Sequence, residues 1–313
     1  MSSSGAAAQS VEYAYRSANE QLAQSGAGPA VLIGLIGSGI RASLSPALHE
    51  HEGAALGLNY AYRIIDIPAA DVSPTLLTKL LDDAQRLGFT GLNITHPFKQ
   101  LVIPLLDRLS DDAQALGAVN TVLFKDGQRI GHNTDWWGFA ESMRRGLPNA
   151  PRDRVVLLGA GGAGAAVAHA LMMLDTHHLS VFDAEGDRAS RLVESLVGRF
   201  SIERVSLVTN LAVSVSHAQG LVNATPMGME HHPGSAIPAM LLRPALWVTD
   251  IVYFPLETQL LKDARQAHCQ TLNGGGMAVF QAVEAFRLFS GIAPNSQRML
   301  NHFAKLTTHP RSP

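Results

Sequence analysis

Residues 154–174 read RVVLLGAGGAGAAVAHALMML: a short apolar run, a glycine-rich turn, then an alanine-rich stretch. An apolar run without polar alternation suits a strand covered on both faces, as in a parallel sheet. Gly159, Gly161 and Gly164 form G-x-G-x-x-G between that strand and a helix. In such a turn the first glycine permits the bend, the second lets backbone approach a pyrophosphate, and the third lets helix and strand pack closely. The helix start then offers free N–H groups and a positive dipole end to phosphates. Asp183 ends the next apolar run, HLSVFD, at the distance of about 20 residues where dinucleotide sites carry an acid. A glycine turn serving packing alone is the competing reading. The strand before it, the helix after it and the acid beyond favour dinucleotide binding.

Asp183 also bears on the choice of cofactor. A carboxylate there accepts a hydrogen bond from a ribose 2′-OH and repels a 2′-phosphate, which points to NAD. Glu185 and Asp187 add negative charge, while Arg188 is the one nearby cation and leaves NADP as the less favoured cofactor. The bland alternative for Asp183 is a helix N-cap or a surface acid.

Strand-like and helical patterns alternate on both sides of this turn, the pattern of parallel α/β construction. In the first half the expected strands are VLIGLIG (31–37), YAYRII (60–65), FTGLNIT (89–95) and NTVLF (120–124). Helical stretches begin near Pro46, Ser73 and Ser110, the last with serine as N-cap and two acids in the first turn. GLPNAPRDR (146–154) reads as a linker. After it, GDRASRLVESL is helical, and GLVNAT (220–225) and WVTDIVY (247–253) add strands. The chain closes on two helical patterns, MAVFQAVEAFRLFSG and the stretch from Ser296 to Leu306.

With 313 residues, 46% of them hydrophobic and 16% charged, the chain has enough apolar surface for more than one core. A formal net charge of −2 offers no basic stripe for nucleic acid, and no long apolar run suggests a membrane span. The single cysteine, Cys269, excludes an internal disulfide framework and fits a reducing, cytoplasmic setting. Residues 1–29 are rich in Ser, Ala and Gly and read as a mobile tail with a short helix from Val11 to Ala23.

Polar residues gather where strands end or helices begin. GLNITHPFK carries Asn93, Thr95 and Lys99; ASLSPALHE carries Ser43 and Ser45; LGAVNT carries Asn120. HNTDWWGF carries Asn133 and Asp135, and NGGGMAVFQA carries Gln281. Singly each has a bland reading: Ser45 or Asp135 as an N-cap, Lys99 or Gln281 as a solvated position, Trp136 and Trp137 as core.

Together the segments SLSP, GLNITHPFK, LGAVNT, GHNTDWWG, GAGGAG, VNATPMGM, DIVYFPLET and NGGGMAVFQA occur in one order. In that order the chain resembles the shikimate dehydrogenase superfamily, and most closely its NAD-dependent quinate/shikimate dehydrogenase branch, from about Val31 to Leu306. The resemblance implies a two-domain α/β protein. An amino-terminal α/β substrate domain (30–134 and 276–313), rejoined by the carboxyl-terminal helices, would flank a Rossmann NAD-binding domain (135–275). It implies Lys99 and Asp135 as the catalytic pair, and Ser43, Ser45, Asn93, Thr95, Asn120, Tyr253 and Gln281 around the substrate. Gly159, Ala160, Gly161, Gly162, Ala163, Gly164, Asp183, Arg188, Thr225, Met227, Val252, Gly276 and Met277 would line the cofactor, and no metal is implied. The implied reaction is reversible oxidation of shikimate to 3-dehydroshikimate with NAD, with quinate as a further substrate, by a monomer or homodimer.

Two departures qualify the resemblance. NADP-using biosynthetic members carry an Asn-Arg-Thr-like segment where this chain has Asp183-Ala184-Glu185, which favours NAD. Ser45 stands where quinate-using members often have threonine. The alternatives are quinate or an aminoshikimate as main substrate, an NADP-dependent biosynthetic enzyme, a methylene-tetrahydrofolate dehydrogenase of like architecture, or a nucleotide sensor without turnover.

Overall fold

The computed structural model of the chain describes residues 13–18 and 30–308. They divide into two compact units. One comprises the described residues up to Thr134 and those from Ala282; the other is Asp135–Gln281.

The first unit holds a six-stranded sheet: β1 (Ala30–Gly37), β2 (Asn59–Asp66), β3 (Gly91–Ile94), β4 (Arg108–Leu109), β5 (Thr121–Lys125) and β6 (Gln128–His132), in the order β2-β1-β3-β5-β6-β4. β1 pairs parallel with β2 and β3, but β5 runs antiparallel to β3, with Thr121 opposite Asn93. The parallel construction that the alternation predicts holds for β1, β2 and β3, and β5 departs from it. A hairpin follows: Asp126 and Gly127 both take positive φ (51° and 78°) and turn β5 back into the antiparallel β6. Asp-Gly is the favoured pair for a two-residue turn of that hand, so the signal was present in KDGQ.

Helices of this unit are α1 (13–18), α2 (Ser45–Ala55), α3 (Pro74–Arg86), α4 (Phe98–Leu101) and α5 (Asp111–Leu116). Ser73 and Ser110 cap α3 and α5, accepting the N–H of Leu76 and of Ala113, each at 3.3 Å. Side chains of β1 alternate between two cores. Leu32 and Ile36 pack in a cluster with Leu77, Leu80 and Leu81 of α3, while Ile33 and Leu35 join Tyr60, Tyr62, Phe286 and Phe289 in another. Ala14 and Ala18 of α1 are buried in the first of these clusters. Residues 13–18 lie within the short helix expected over Val11–Ala23; the other residues of 1–29 lie outside those described.

The second unit holds β7 (Arg154–Leu158), β8 (His178–Phe182), β9 (Val205–Leu207), β10 (Gly220–Asn223), β11 (Trp247–Asp250) and β12 (Gln270–Leu272). Their order is β12-β11-β10-β7-β8-β9, all parallel. Strand order reverses between β7 and β10, the switch point where open α/β sheets bind ligands. Five helices belong to it: α6 (Asp135–Gly146), α7 (Gly162–Met173), α8 (Gly186–Phe200), α9 (Leu211–His217) and α10 (Gln259–Gln266). Val155 and Leu157 face a core with Phe139, Met143, Val167 and Leu171; Val156 and Leu158 face one with Val215, Leu260 and Leu261. Both faces of β7 are thus covered, which is why VVLL shows no polar alternation. β9 and β12, three residues each, are too short to leave a periodic trace in the sequence.

Two helices complete the chain. α11 (Gly275–Ser290) begins in the second unit and ends in the first, and α12 (Ser296–Thr308) belongs to the first.

Candidate functional site

The glycine turn has the geometry its spacing predicts. Gly159 follows β7 at φ +97°, and Gly161 is the N-cap of α7. A Cβ on Gly164 would stand 2.0 Å from the Gly159 carbonyl oxygen, so only glycine permits this strand and helix to meet. A Cβ on Gly161 or Gly162 would meet nothing within 4 Å. The turn is therefore closed where packing demands glycine and open above the start of α7. There the backbone N–H groups of a helix amino-terminus are available to a pyrophosphate.

Asp183 binds this turn directly. Its Oδ2 accepts the N–H of Ala160 at 2.7 Å, and its Oδ1 accepts the N–H of Glu185 at 2.8 Å. It is not the N-cap of α8, a position held by Glu185 without a side-chain bond. Arg188 lies in an i,i+3 ion pair with Glu185, Nε to Oε2 at 3.0 Å.

The loops after β10 and β11 are tied by a polar network that sequence reasoning did not single out. Buried Asp250 accepts from Asn223 Nδ2 (3.0 Å), the Val252 N–H (3.0 Å) and the Thr258 hydroxyl (2.7 Å). Burial nonetheless raises its carboxyl above the usual range, with those three bonds opposing the rise. Asn223 Oδ1 in turn accepts the N–H and hydroxyl of Thr225 at 3.1 and 2.6 Å, and Thr225 Oγ1 accepts the Met227 N–H at 3.2 Å. Thr225, Met227 and Val252, all expected at the cofactor, thus hang on one scaffold. Asn223 stood inside the segment VNATPMGM, but nothing in the sequence tells that it and Asp250 meet.

Asp135 opens α6, and one turn later Gly138 packs against α11: a Cβ there would be 2.6 Å from the Gln281 nitrogen and 2.8 Å from the Met277 carbonyl oxygen. Asp135 also lies near enough to Tyr253 to raise its phenol, second to desolvation. The second unit therefore brings Asp135, Tyr253, Met277 and Gln281 into one neighbourhood.

In the first unit the expected residues form a chain of hydrogen bonds. The Ser43 hydroxyl donates to Ser45 Oγ at 3.2 Å, and Tyr62 Oη donates to Asn93 Oδ1 at 2.9 Å. Burial pushes the Tyr62 phenol well up, with a hydrogen bond from Ser45 opposing it. Asn93 Nδ2 donates to the Asn120 carbonyl (3.2 Å) and Thr121 Oγ1 (3.0 Å). Asn120 Oδ1 accepts the Thr134 N–H at 2.8 Å. Ser45 is the first residue of α2, whose N-cap, Leu44, makes no side-chain bond. Thr95 follows β3, and Lys99, half-buried on α4, accepts the Val119 N–H with its carbonyl at 2.9 Å. Tyr62 is the member that sequence reasoning missed; a tyrosine in an apolar strand carries no mark of its hydroxyl's partners. Among the described residues no group of three or more His, Cys, Asp or Glu could hold a metal ion, and no helix is long and apolar enough to cross a membrane.

A doubly wound parallel sheet with an open glycine turn, an acid bonded to that turn and a separate mixed sheet rich in buried hydroxyls and amides defines a two-unit dinucleotide-binding α/β protein of the Rossmann class. Residues 35–122 match the family model described as the shikimate dehydrogenase substrate binding domain. The chain is 57% identical over 277 residues to a shikimate dehydrogenase (NADP(+)) of Streptomyces avermitilis, covering 88% of this chain and 95% of that one. It is 48% identical over 280 residues to a quinate/shikimate dehydrogenase (NAD(+)) of Corynebacterium efficiens, covering 88% and 98%. The solved quinate dehydrogenase from Corynebacterium glutamicum in complex with NAD matches with a TM-score of 0.84 at 48% identity, over 88% of this chain and 99% of that one. This protein belongs to the shikimate dehydrogenase family and is an oxidoreductase.

Proposed function

We propose that the protein oxidises shikimate to 3-dehydroshikimate reversibly with NAD, and takes quinate as a second substrate. The observation that carries the substrate half is the connected set Ser43, Ser45, Tyr62, Asn93 and Asn120. Neutral hydroxyls and amides held by one another are what a small polyhydroxylated carboxylate needs, and a site so built discriminates strongly against analogues lacking a hydroxyl. Ser43 and Ser45 would hold the carboxylate; Asn93, Thr95, Asn120 and Gln281 would orient the ring hydroxyls, with Tyr253 beside them.

Lys99 would accept the proton of the reacting hydroxyl, and Asp135 would supply the carboxylate that pairs with it and passes the proton on. The glycine turn, Asp183 and the Thr225–Met227 and Val252 loops would hold the dinucleotide. When bound, the dinucleotide supplies the hydride acceptor.

The preference for NAD rests on Asp183 and on the Glu185–Arg188 pair, which occupies the nearby cation. A second reading, NADP as cofactor, is favoured by the 57%-identical Streptomyces relative named for it. Steady-state kcat/KM for shikimate and quinate with each cofactor tests both. The expected maximum is shikimate with NAD. Equal or better use of NADP would overturn the cofactor half, and absence of turnover with either acid would overturn the whole.

A further inference from the structure

Helices α2 and α12 of the first unit border a surface cavity of about 360 Å³, remote in sequence from the glycine turn. His51, Arg298, His302 and Lys305 line it, with Asn295 and Asn301 beside them. The rings of His51 and His302 stack, with centroids 3.9 Å apart and planes 11° from parallel. Four groups able to carry positive charge therefore face one space.

The acids nearby are already engaged. Glu52, fully buried, accepts from Arg298 Nε and Nη2, each at 2.7 Å, and from the Asn295 N–H at 2.7 Å. Glu50, also on α2, pairs with Arg63 at 2.7 Å. Lys305 makes no ion pair among the described residues. Desolvation, His51 and Lys305 together lower the His302 imidazole below its ordinary value, against a hydrogen bond to the Ala47 carbonyl. Groups able to carry positive charge thus gather around a cavity whose neighbouring carboxylates among the described residues, Glu50 and Glu52, are already paired, an arrangement that suits an entering anion. A metal is the poorer fit. Stacked imidazoles do not converge their lone pairs, and among the described residues no third ligand joins them.

We propose that this cavity binds a doubly charged oxyanion group, of the sulfate or phosphomonoester class, between His51, His302 and Lys305. The compact Lys305 ammonium and the imidazolium N–H groups supply charge-assisted hydrogen bonds. A bound anion favours the imidazolium of His302, which burial and its neighbours otherwise disfavour, so binding takes up a proton there.

The test uses the full chain in the presence of NAD, so that the glycine turn does not compete for oxyanions. Imidazole resonances of His51 and His302 are followed by NMR as sulfate is added at constant ionic strength. Sulfate is chosen because its own charge does not change near neutrality. Saturable shifts of both histidines are expected, with sulfate affinity rising several-fold as pH falls from about 8 to about 6. Lys305→Ala should weaken binding roughly tenfold, the loss of one charge-assisted hydrogen bond, without lowering Tm. Repeating the titration with glycerol 3-phosphate separates the sources: tighter binding assigns the cavity to organic phosphates, equal binding to bare oxyanions. Absence of saturation up to about 0.1 M, or an affinity untouched by Lys305→Ala, overturns the proposal.

Discussion

Asp183 Oδ2 accepts the N–H of Ala160 at 2.7 Å, joining the end of β8 to the glycine turn that follows β7. In the proposed cofactor mode the bond holds this carboxylate beside the dinucleotide ribose, while the ion pair with Glu185 occupies Arg188. At a surface-like dielectric a close like-charge contact is worth on the order of a few kcal/mol, less after salt screening. Asp183→Asn combined with Ala184→Arg should therefore move the ratio of kcat/KM values toward NADP. Glu185→Ala alone, which releases Arg188, should move it the same way by a smaller factor. A ratio unchanged in both variants would remove Asp183 from the account of cofactor choice.

The two kinds of glycine in the turn should separate on mutation. Gly161→Ala adds a methyl group into open space without a clash, so stability should fall by no more than about 1 kcal/mol, the cost of alanine at an N-cap. Its dissociation constant for NAD should nonetheless rise, because the methyl occupies the cradle. Gly164→Ala drives a methyl to 2.0 Å from the Gly159 carbonyl oxygen and should destabilise by about 1–3 kcal/mol. Denaturant melts and NAD titrations of the pair check this.

Lys99→Ala should keep NAD affinity and lose about 10²–10⁴ in turnover, the usual effect of removing a positioned acid or base. Isothermal titration and initial rates with shikimate measure the two parts. Near-normal turnover would mean that the proton leaves by another route.

Tyr62→Phe removes the donor to Asn93 Oδ1 and leaves a buried acceptor without it. The expected destabilisation is about 1–3 kcal/mol. Because the hydroxyl positions Asn93 and Ser45 and does not itself react in the proposed chemistry, KM for shikimate should rise more than kcat falls. An unchanged KM would show that Tyr62 serves folding alone.

His49 supplies a prediction about pH. Buried at 1% exposure against Tyr60, Tyr62 and Phe286, it has its imidazole pushed down to about 3 by desolvation, and Nδ1 lies 2.9 Å from the Tyr60 hydroxyl. The unfolded chain binds a proton at His49 below its ordinary value near 6.5, and the folded chain does not. Its contribution is thus fully present above that pH and falls as pH drops toward 3, by up to about 1.4 kcal/mol per pH unit. Urea midpoints between about pH 7 and about pH 4.5 should fall less steeply in His49→Gln, which cannot titrate.

Much of the candidate site was legible because its logic is local. G-x-G-x-x-G and Asp183 follow a period of strand, turn and helix that a few consecutive residues impose. Ser43, Lys99, Asp135 and Gln281, the residues proposed around the substrate, were singled out through ordered segments that resemble those of the family. Asn223, Asp250 and Tyr62 were not, because their importance lies in partners 27 to 31 residues away, as in Asn223–Asp250 and Tyr62–Asn93.

By itself the sequence determined the α/β class, the dinucleotide turn and most strand and helix positions, since apolar periodicity, glycine and proline act over a few residues. Only the tertiary structure decided that β5 runs antiparallel to β3, that Ala14 and Ala18 join a core, and that the buried Asp250 carboxylate is held by Asn223. The physical reason is the same in each case. Sheet order, burial and the partner of a charged group depend on which surfaces meet, and that is settled by the packing of distant segments rather than by the residues on either side.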